Sequence, residues 1–319
     1  MRAVRRAIVA TVRNEEGRLA EFLASLERQT FRPDIVVVTD GGSTDRTPQL
    51  LEAFTAHTSL PFRWASAPGN RSVGRNAAIR LAEADVIACT DASLLDPAWF
   101  ERIVAPIERG EADFVAGWYE LQADRPKDRV IGLLTQYSLE QIRPTDFLPS
   151  SRSVAFTRSL WERAGGYPEA FEGNEDSLFD LAVERLHPRK VFAPNAVVRW
   201  RPAASVRGVY RQQRKYAVGD GQAGIFLTTR TRYAAYFVVY IGGIVLALIG
   251  IVRPIAWSVL LILGAGYILF RARKILRAGL WPWLPYAALL VVTWDVSLMV
   301  GYARGRLDRL RFGGNRFRF

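Results

Sequence analysis

From Tyr233 to Phe270 the chain carries a single charged residue, Arg253, a run that few water-soluble folds can accommodate. Its first part, residues 233–252, is long enough as a helix to cross roughly 30 Å of hydrocarbon. Arg253-Pro254 interrupts the run, residues 254–270 make a shorter apolar segment, and Arg271, Arg273, Lys274 and Arg277 follow as a positive, cytosolic flank. Trp281-Pro282-Trp283-Leu284-Pro285 suits the headgroup level, and residues 284–302 form a third apolar segment that holds Asp295. A membrane part over 226–303 and a basic tail over 304–319 are therefore expected, with several passes. Three full crossings would carry the arginine-rich tail to the wrong side, so the third segment is re-entrant or shallow, or the charge rule fails here. Asp295 reads equally well as a functional contact and as an interior pair with Arg or Trp.

The net charge is +12 over 319 residues, from 43 Lys and Arg against 31 Asp and Glu. The excess gathers around the apolar segments, where it meets anionic lipid, so membrane lipid is an expected partner and nucleic acid is not. Residues 7–12 are too short for the apolar core of a secretory signal, which puts residues 1–225 on the cytosolic face of the plasma membrane. One cysteine, Cys89, excludes an intramolecular disulfide, and two histidines exclude a His-rich metal site.

Residues 1–225 alternate short apolar runs with helical patterns, the order of a mainly parallel sheet covered by helices. Residues 7–12 read as a first strand, followed by a helix with Leu19, Phe22, Leu23 and Leu26 on one face. Residues 35–38 are a second strand running into Thr39-Asp40-Gly41-Gly42-Ser43-Thr44-Asp45. Glycines beside carboxylates let backbone approach a ligand closely; a tight turn with Asp45 or Thr44 capping the next helix explains them as well. Residues 62–65 are a third strand, and Gly69 to Asn76 opens a helix whose arginines can meet phosphate at its N-terminus. Val86-Ile87-Ala88-Cys89 is a buried strand that delivers Asp91 to the carboxyl edge of the sheet. Ligands of open α/β sheets bind at that edge, and a hard carboxylate there suits a divalent cation. As plain structure, Asp91 and Ser93 would cap the following turn.

In order along the chain, Arg13-Asn14-Glu15, Val38 to Asp45, Gly74-Arg75-Asn76 and Thr90-Asp91-Ala92-Ser93 resemble the nucleotide-sugar half of family 2 glycosyltransferases. Gly165 to Glu169 and Gly173-Asn174-Glu175-Asp176 resemble the acceptor half of the same family. The resemblance covers about residues 5–225. It implies the A-type α/β fold, Rossmann-like, with a mixed, mainly parallel sheet, a donor half over about 1–120 and an acceptor half over about 121–225. It implies further that Glu15 and Asp40 hold the base and ribose of the donor, with Thr11, Arg13 and Gly41 in the same site and Arg75 near the phosphates. Thr11 stands where the family usually has proline. Asp91 would be the metal carboxylate of the Asp-x-Asp motif, with Mn2+ or Mg2+ as cofactor. The second Asp of that motif is Ser93 here, and a hydroxyl ligates a metal without supplying charge.

By the same resemblance Asp176 is the general base and Glu175 the residue that orients it. Direct displacement at an anomeric carbon needs a carboxylate to take the acceptor's proton opposite the leaving nucleoside diphosphate, and it inverts configuration. A metal offsets the charge that builds on the leaving group. Residues 149–156 form a small-residue loop entering a strand, which sets Arg152 and Ser153 near the acceptor or pyrophosphate. Gln212-Gln213-Arg214-Lys215-Tyr216 resembles the Gln-x-x-Arg-Trp motif of processive synthases, with Lys215 for Arg and Tyr216 for Trp. Stacking on an acceptor sugar fits this basic stretch, and so does an interfacial helix facing lipid headgroups. The expected function is transfer of a sugar from a nucleotide diphosphate sugar, a UDP-sugar favoured, to a lipid-linked or growing glycan acceptor. A processive polysaccharide synthase and a catalytically inactive membrane scaffold of the same fold are the alternatives.

Overall fold

A computed structural model describes residues 4–136, 139–143, 147–171, 173–224 and 229–313. The first third lays down β1 (Arg6–Val12), α1 (Leu19–Glu27), β2 (Ile35–Asp40), α2 (Thr47–His57), β3 (Phe62–Ser66), α3 (Arg71–Ala82) and β4 (Val86–Thr90). These four strands run parallel to one another, and strands covered on both faces must be apolar on both. Residues 7–10, 36–38 and 87–89 meet that demand and expose no surface at all. Next come β5 (Leu94–Leu95), α4 (Trp99–Glu108), β6 (Phe114–Leu121), α5 (Pro126–Thr135), β7 (Val154–Thr157), α6 (Arg158–Arg163), α7 (Glu175–Glu184) and β8 (Lys190–Trp200). Among the described residues the strands form one sheet in the order β3-β2-β1-β4-β7-β6-β8-β5. β7 is antiparallel to β4 and β6, β5 is antiparallel to β8, and β6 and β8 are parallel. The sheet is thus mixed and mostly parallel.

Gly74 explains how α3 sits. A Cβ there would overlap the Thr11 hydroxyl, so its absence lets α3 lie directly on β1 and β2. Asn70 caps the helix, accepting from Val73 N at 3.1 Å.

Five further helices complete the chain: α8 (Val206–Ala223), α9 (Thr229–Val252), α10 (Ile255–Arg271), α11 (Arg273–Arg277) and α12 (Leu284–Phe312). Gly250 faces Trp257 and Gly243 faces Leu260, so α9 and α10 pair as an antiparallel hairpin that turns at Arg253-Pro254. Its side chains point largely outward, with Leu248 60% and Leu261 71% exposed. By length and composition α9 and the α12 region can cross a membrane, and α10 is shorter.

The third apolar segment departs from expectation. A separate span over 284–302 and a basic tail from 304 were expected, yet one helix runs from Leu284 to Phe312. That helix packs on the globular part: Ala287 and Leu290 join Val130, Ile131 and Val209 in one buried cluster. Further along, a Cβ at Gly301 or Gly305 would overlap the carbonyls of Arg214 and Val218, and one at Gly221 would lie 2.5 Å from Tyr302 O. Glycines on both sides of the crossing bring α8 and α12 together backbone to backbone. Arg309 Nη1 donates to Gln222 O and Ala223 O at 2.7 and 3.0 Å, satisfying the last carbonyls of α8. Asp295 is fully buried and paired with Arg271 at 2.7 Å, so the pairing alternative holds. Glu172 and residues 314–319, with Arg316 and Arg318, lie outside the described residues.

Candidate active site

The carboxyl ends of β1, β2 and β4 open into a cleft of about 860 Å³, at the edge where open α/β sheets take ligands. Thr11, Arg13, Glu15, Gly41, Asp91 and Ser93 line it from the strand ends. Arg71 enters from the start of α3 and Arg152 from the loop before β7. The far wall is α8, through Arg211, Gln212, Lys215 and Tyr216, beside Arg199, Trp200 and Arg201 at the end of β8. Arginines and a lysine from five segments face only the carboxylates of Glu15, Glu21 and Asp91. Such a lining attracts a phosphate-rich anion.

Loop geometry sets Glu15 in place. Asn14 takes the left-handed conformation (φ 55°), which asparagine tolerates. Its amide donates to Ser43 Oγ and its side chain accepts from Thr44 N, both at 2.8 Å, tying the loop after β1 to the loop after β2. Burial, with Asp91 adding, raises the Glu15 carboxyl above the usual carboxylate range, although Arg18 opposes it. Asp91 lies one residue beyond β4. Ser93 Oγ donates to its Oδ1, and Arg152 Nε stands 3.0 Å from its Oδ2. The Arg152 guanidinium lies over the Trp200 ring at 4.8 Å and the Tyr119 ring at 5.8 Å.

Among the described residues no three His, Cys, Asp or Glu side chains gather to cage a metal. Asp91 with its Ser93 partner fits the other common arrangement, in which Mg2+ or Mn2+ takes one or two carboxylates and completes its shell with substrate phosphates and water.

Asp176 stands in the first turn of α7, half-buried. Asn174 begins the helix in the left-handed region (φ 61°), and its side chain donates to Asp220 of α8. A Cβ on Gly173 would come within 2.6 Å of Lys215 O, so the glycine lets this turn press onto the α8 wall that carries Lys215 and Tyr216. Burial, reinforced by Glu175, raises the Asp176 carboxyl above its ordinary value, and Arg75 and Arg152 pull the other way. Burial likewise opposes the charge of Glu175, but Arg75 and Arg71 hold its carboxyl below the ordinary value. Adjacent acids pushed in opposite directions are what an acid-base site needs, one poised to take a proton and one kept charged. Tyr216 accepts a hydrogen bond from Gln212 Nε2 at 3.1 Å. Its hydroxyl is acidified by Arg152 and Arg71 against the effect of burial.

Five expected site residues, Asp40, Arg75, Ser153, Glu175 and Asp176, lie outside the cleft wall. Arg75 is 3% exposed and pairs with Glu175 Oε1 at 2.9 Å, its guanidinium 5.3 Å from the Tyr167 ring. It bridges the two halves of the domain, and Arg71, one helical turn earlier on the same face, is the arginine that reaches the cleft. Asn76 belongs to the same bridge: it donates to Tyr167 O at 2.8 Å and accepts from Tyr167 N at 2.9 Å. Ser153 is 1% exposed, accepting from Trp99 Nε1 and donating to Ala196 O, both at 2.9 Å. Side chains alternate along the entry to β7, so Arg152 faces the cleft and Ser153 the core. Asp40, 3% exposed, accepts from the amides of Gly42 and Ser43 at 3.2 and 3.0 Å and shapes the turn that sets Gly41 in the cleft wall. Sequence reasoning missed Arg18, Arg199, Trp200, Arg201 and Arg211 as cleft residues. Trp200-Arg201, an aromatic and a cation directly after a strand, was the available signal. Cys89 is inert, its thiol pushed up to about 11 by burial.

Residues 7–153 match the model of the family described as Glycosyl transferase family 2. Over 191 residues the chain is 27% identical to the uncharacterized glycosyltransferase EpsJ of Bacillus subtilis, a match covering 56% of each chain. A 112-residue stretch is 36% identical to the undecaprenyl-phosphate 4-deoxy-4-formamido-L-arabinose transferase of Pseudomonas fluorescens, covering 33% of this chain and 32% of that one. The chain thus spans about half the length of the first of these curated relatives and a third of the second. A mannosyltransferase from Pyrobaculum calidifontis, solved with GDP-Man and Mn2+, superposes with a TM-score of 0.59 over 96% of this chain and 88% of that one. The two are 19% identical and share the fold. With the A-type sheet, the cleft at its carboxyl edge and the family match over β1 to the start of β7, residues 7–153 hold a glycosyl transferase family 2 domain.

Proposed function

We propose that the chain transfers a sugar from a nucleoside diphosphate sugar to a hydroxyl of a glycan or lipid-linked acceptor at the membrane, with inversion. The observation that carries this reading is the pairing of a cationic cleft over Asp91 with a carboxyl at Asp176 whose proton affinity is raised. The nucleoside diphosphate would lie along the strand ends among Arg13, Arg71 and Arg152. The acceptor would enter past Lys215 and Tyr216. Its oxygen attacks the anomeric carbon, the bond from that carbon to the diphosphate breaks, and the hydroxyl proton passes to Asp176. Glu175, kept charged by Arg75, favours proton uptake by Asp176 through repulsion. A divalent ion held by Asp91, Ser93 and the donor's phosphates would supply charge compensation for the leaving group. The relative named for undecaprenyl phosphate supports a lipid-linked acceptor.

The same reading takes the α9–α10 hairpin as the membrane anchor, with the catalytic domain on the cytosolic face. Since α12 packs on α5 and α8, it stays on the domain's side, and residues 271–277 and 304–311 then share one positive face. Two crossings remove the conflict that three would create.

The test is release of nucleoside diphosphate from UDP-, GDP- and TDP-sugars by detergent-purified protein, with an acceptor extract, with Mn2+ or Mg2+, and with EDTA. Turnover of one donor that Asp176→Asn abolishes is the expected result. Absence of both turnover and nucleotide binding across the panel refutes it. Product length on a defined acceptor separates single addition from processive synthesis.

A further inference from the structure

We propose that Arg152 fills, with its own charge, the place beside Asp91 that a divalent cation takes when donor binds. On loading, its guanidinium passes from that carboxylate to the diphosphate. The inference rests on the function proposed above for its second half only.

Asp91 has two carboxylate oxygens and both are engaged: Ser93 donates to one, and Arg152 Nε lies 3.0 Å from the other. A cation approaching Asp91 must therefore displace the arginine. The pair cannot easily be shared, because Ser93 brings no second negative charge, and a dication and a guanidinium around one carboxylate repel each other. The surroundings of Arg152 suit displacement. Its backbone is pinned on both sides, by the Ser151 to Tyr167 hydroxyl contact at 2.9 Å and by the two hydrogen bonds of Ser153, so motion is confined to the side chain. The guanidinium itself rests on the flat faces of Trp200 and Tyr119, and among the described residues the one other polar contact of its side chain is with Ser150 Oγ at 3.3 Å. A guanidinium can slide over an aromatic face while keeping most of its cation–π attraction. A diphosphate in the cleft offers it a planar, two-pronged partner in exchange for the carboxylate. Metal and nucleotide should then bind cooperatively, since each removes the obstacle to the other.

The experiment titrates Mn2+ alone into the detergent-purified full chain, following free Mn2+ by electron paramagnetic resonance, and repeats the titration with UDP or GDP. Arg152→Gln should bind Mn2+ alone about fivefold or more tightly than the wild type, as expected for removal of a charge-assisted contact. The gain that nucleotide brings to Mn2+ affinity should shrink in the same variant. Asp91→Ala in that background should abolish the added binding. If Arg152→Gln does not fold, Arg152→Lys, with a shorter cation that stacks poorly, should give a smaller tightening. Mn2+ that binds the variant no more tightly than the wild type, binds neither, or persists after Asp91→Ala overturns the exchange. Binding of UDP and GDP to the wild type with saturating Mn2+ is read separately. Its failure would sink the nucleotide-sugar reading without touching the Mn2+ result.

Discussion

Replacing either partner of the Arg75–Glu175 pair separates a structural arginine from a phosphate-binding one. The two side chains are 4% and 6% exposed and 2.9 Å apart, so each substitution strands a charge in a poorly solvated place. Breaking a buried pair on one side costs about 3–5 kcal/mol. The two single variants differ, however. After Arg75→Met, Glu175 keeps Arg71 at 4.0 Å, whereas after Glu175→Gln the guanidinium of Arg75, whose Nε already has no partner, loses its one ion-pair carboxylate. Arg75→Met should therefore fall near the low end of that range and Glu175→Gln near the high end. At about 2–3 °C per kcal/mol for a chain of this size, melting temperatures should drop by roughly 6–9 °C and 10–15 °C. The double variant leaves neither charge behind, and a coupling of about 3 kcal/mol should hold it near the Glu175→Gln value instead of at the sum of the two losses. The assay is thermal unfolding in one detergent, with UDP and GDP titrated calorimetrically on the same samples. Wild-type melting of Arg75→Met together with lost nucleotide affinity would refute the bridge and restore Arg75 to the phosphates. Additive losses in the double variant would refute the coupling.

Other outcomes follow from the same geometry. Asp176→Asn should lower kcat about 10²–10⁴-fold with little change in nucleotide affinity, measured by steady-state kinetics beside calorimetry. Because burial and Glu175 raise the Asp176 carboxyl, activity should fall as pH drops through a value above the ordinary carboxylate range; Glu175→Gln should shift that acid limb to lower pH. The raised proton affinity also predicts that folded-state stability declines as pH rises from the unfolded carboxyl value through the raised one, and that Asp176→Asn removes this slope. Gly305→Val, which forces a branched side chain into the Val218 carbonyl, should cost about 1–3 kcal/mol or more and loosen the α8 wall; unchanged melting would contradict the close crossing.

The sheet was legible because its central strands must be apolar on both faces, a pattern that needs no partner to be read. Positions after those strands followed from chain order, so Asp91, Glu15 and Gly41 could be set at the carboxyl edge. The role of Arg75 could not be read locally, because Arg71 and Arg75 share one face of α3 and only the landing point of α7, a hundred residues later, decides which of them meets a carboxylate. Ser153 and Arg152 differ by one step of strand alternation, and the register was open until β7 paired with β4 and β6. For α12 hydropathy counts apolar residues, which admit a span, but does not report spacing. Gly301 and Gly305, four apart, were the sign that this helix lies tightly on another.

That glycine seam also makes the enzyme a gauge of height. The wall of the cleft that would meet the acceptor is α8, and α8 is locked to α12, whose other end joins α11 and the hairpin through a short turn. With the hairpin as the proposed anchor, this route through packed helices would keep the transfer point at one elevation above the lipid surface. Acceptor chains whose growing end reaches that level would be served, and those too short or too long would pass it by.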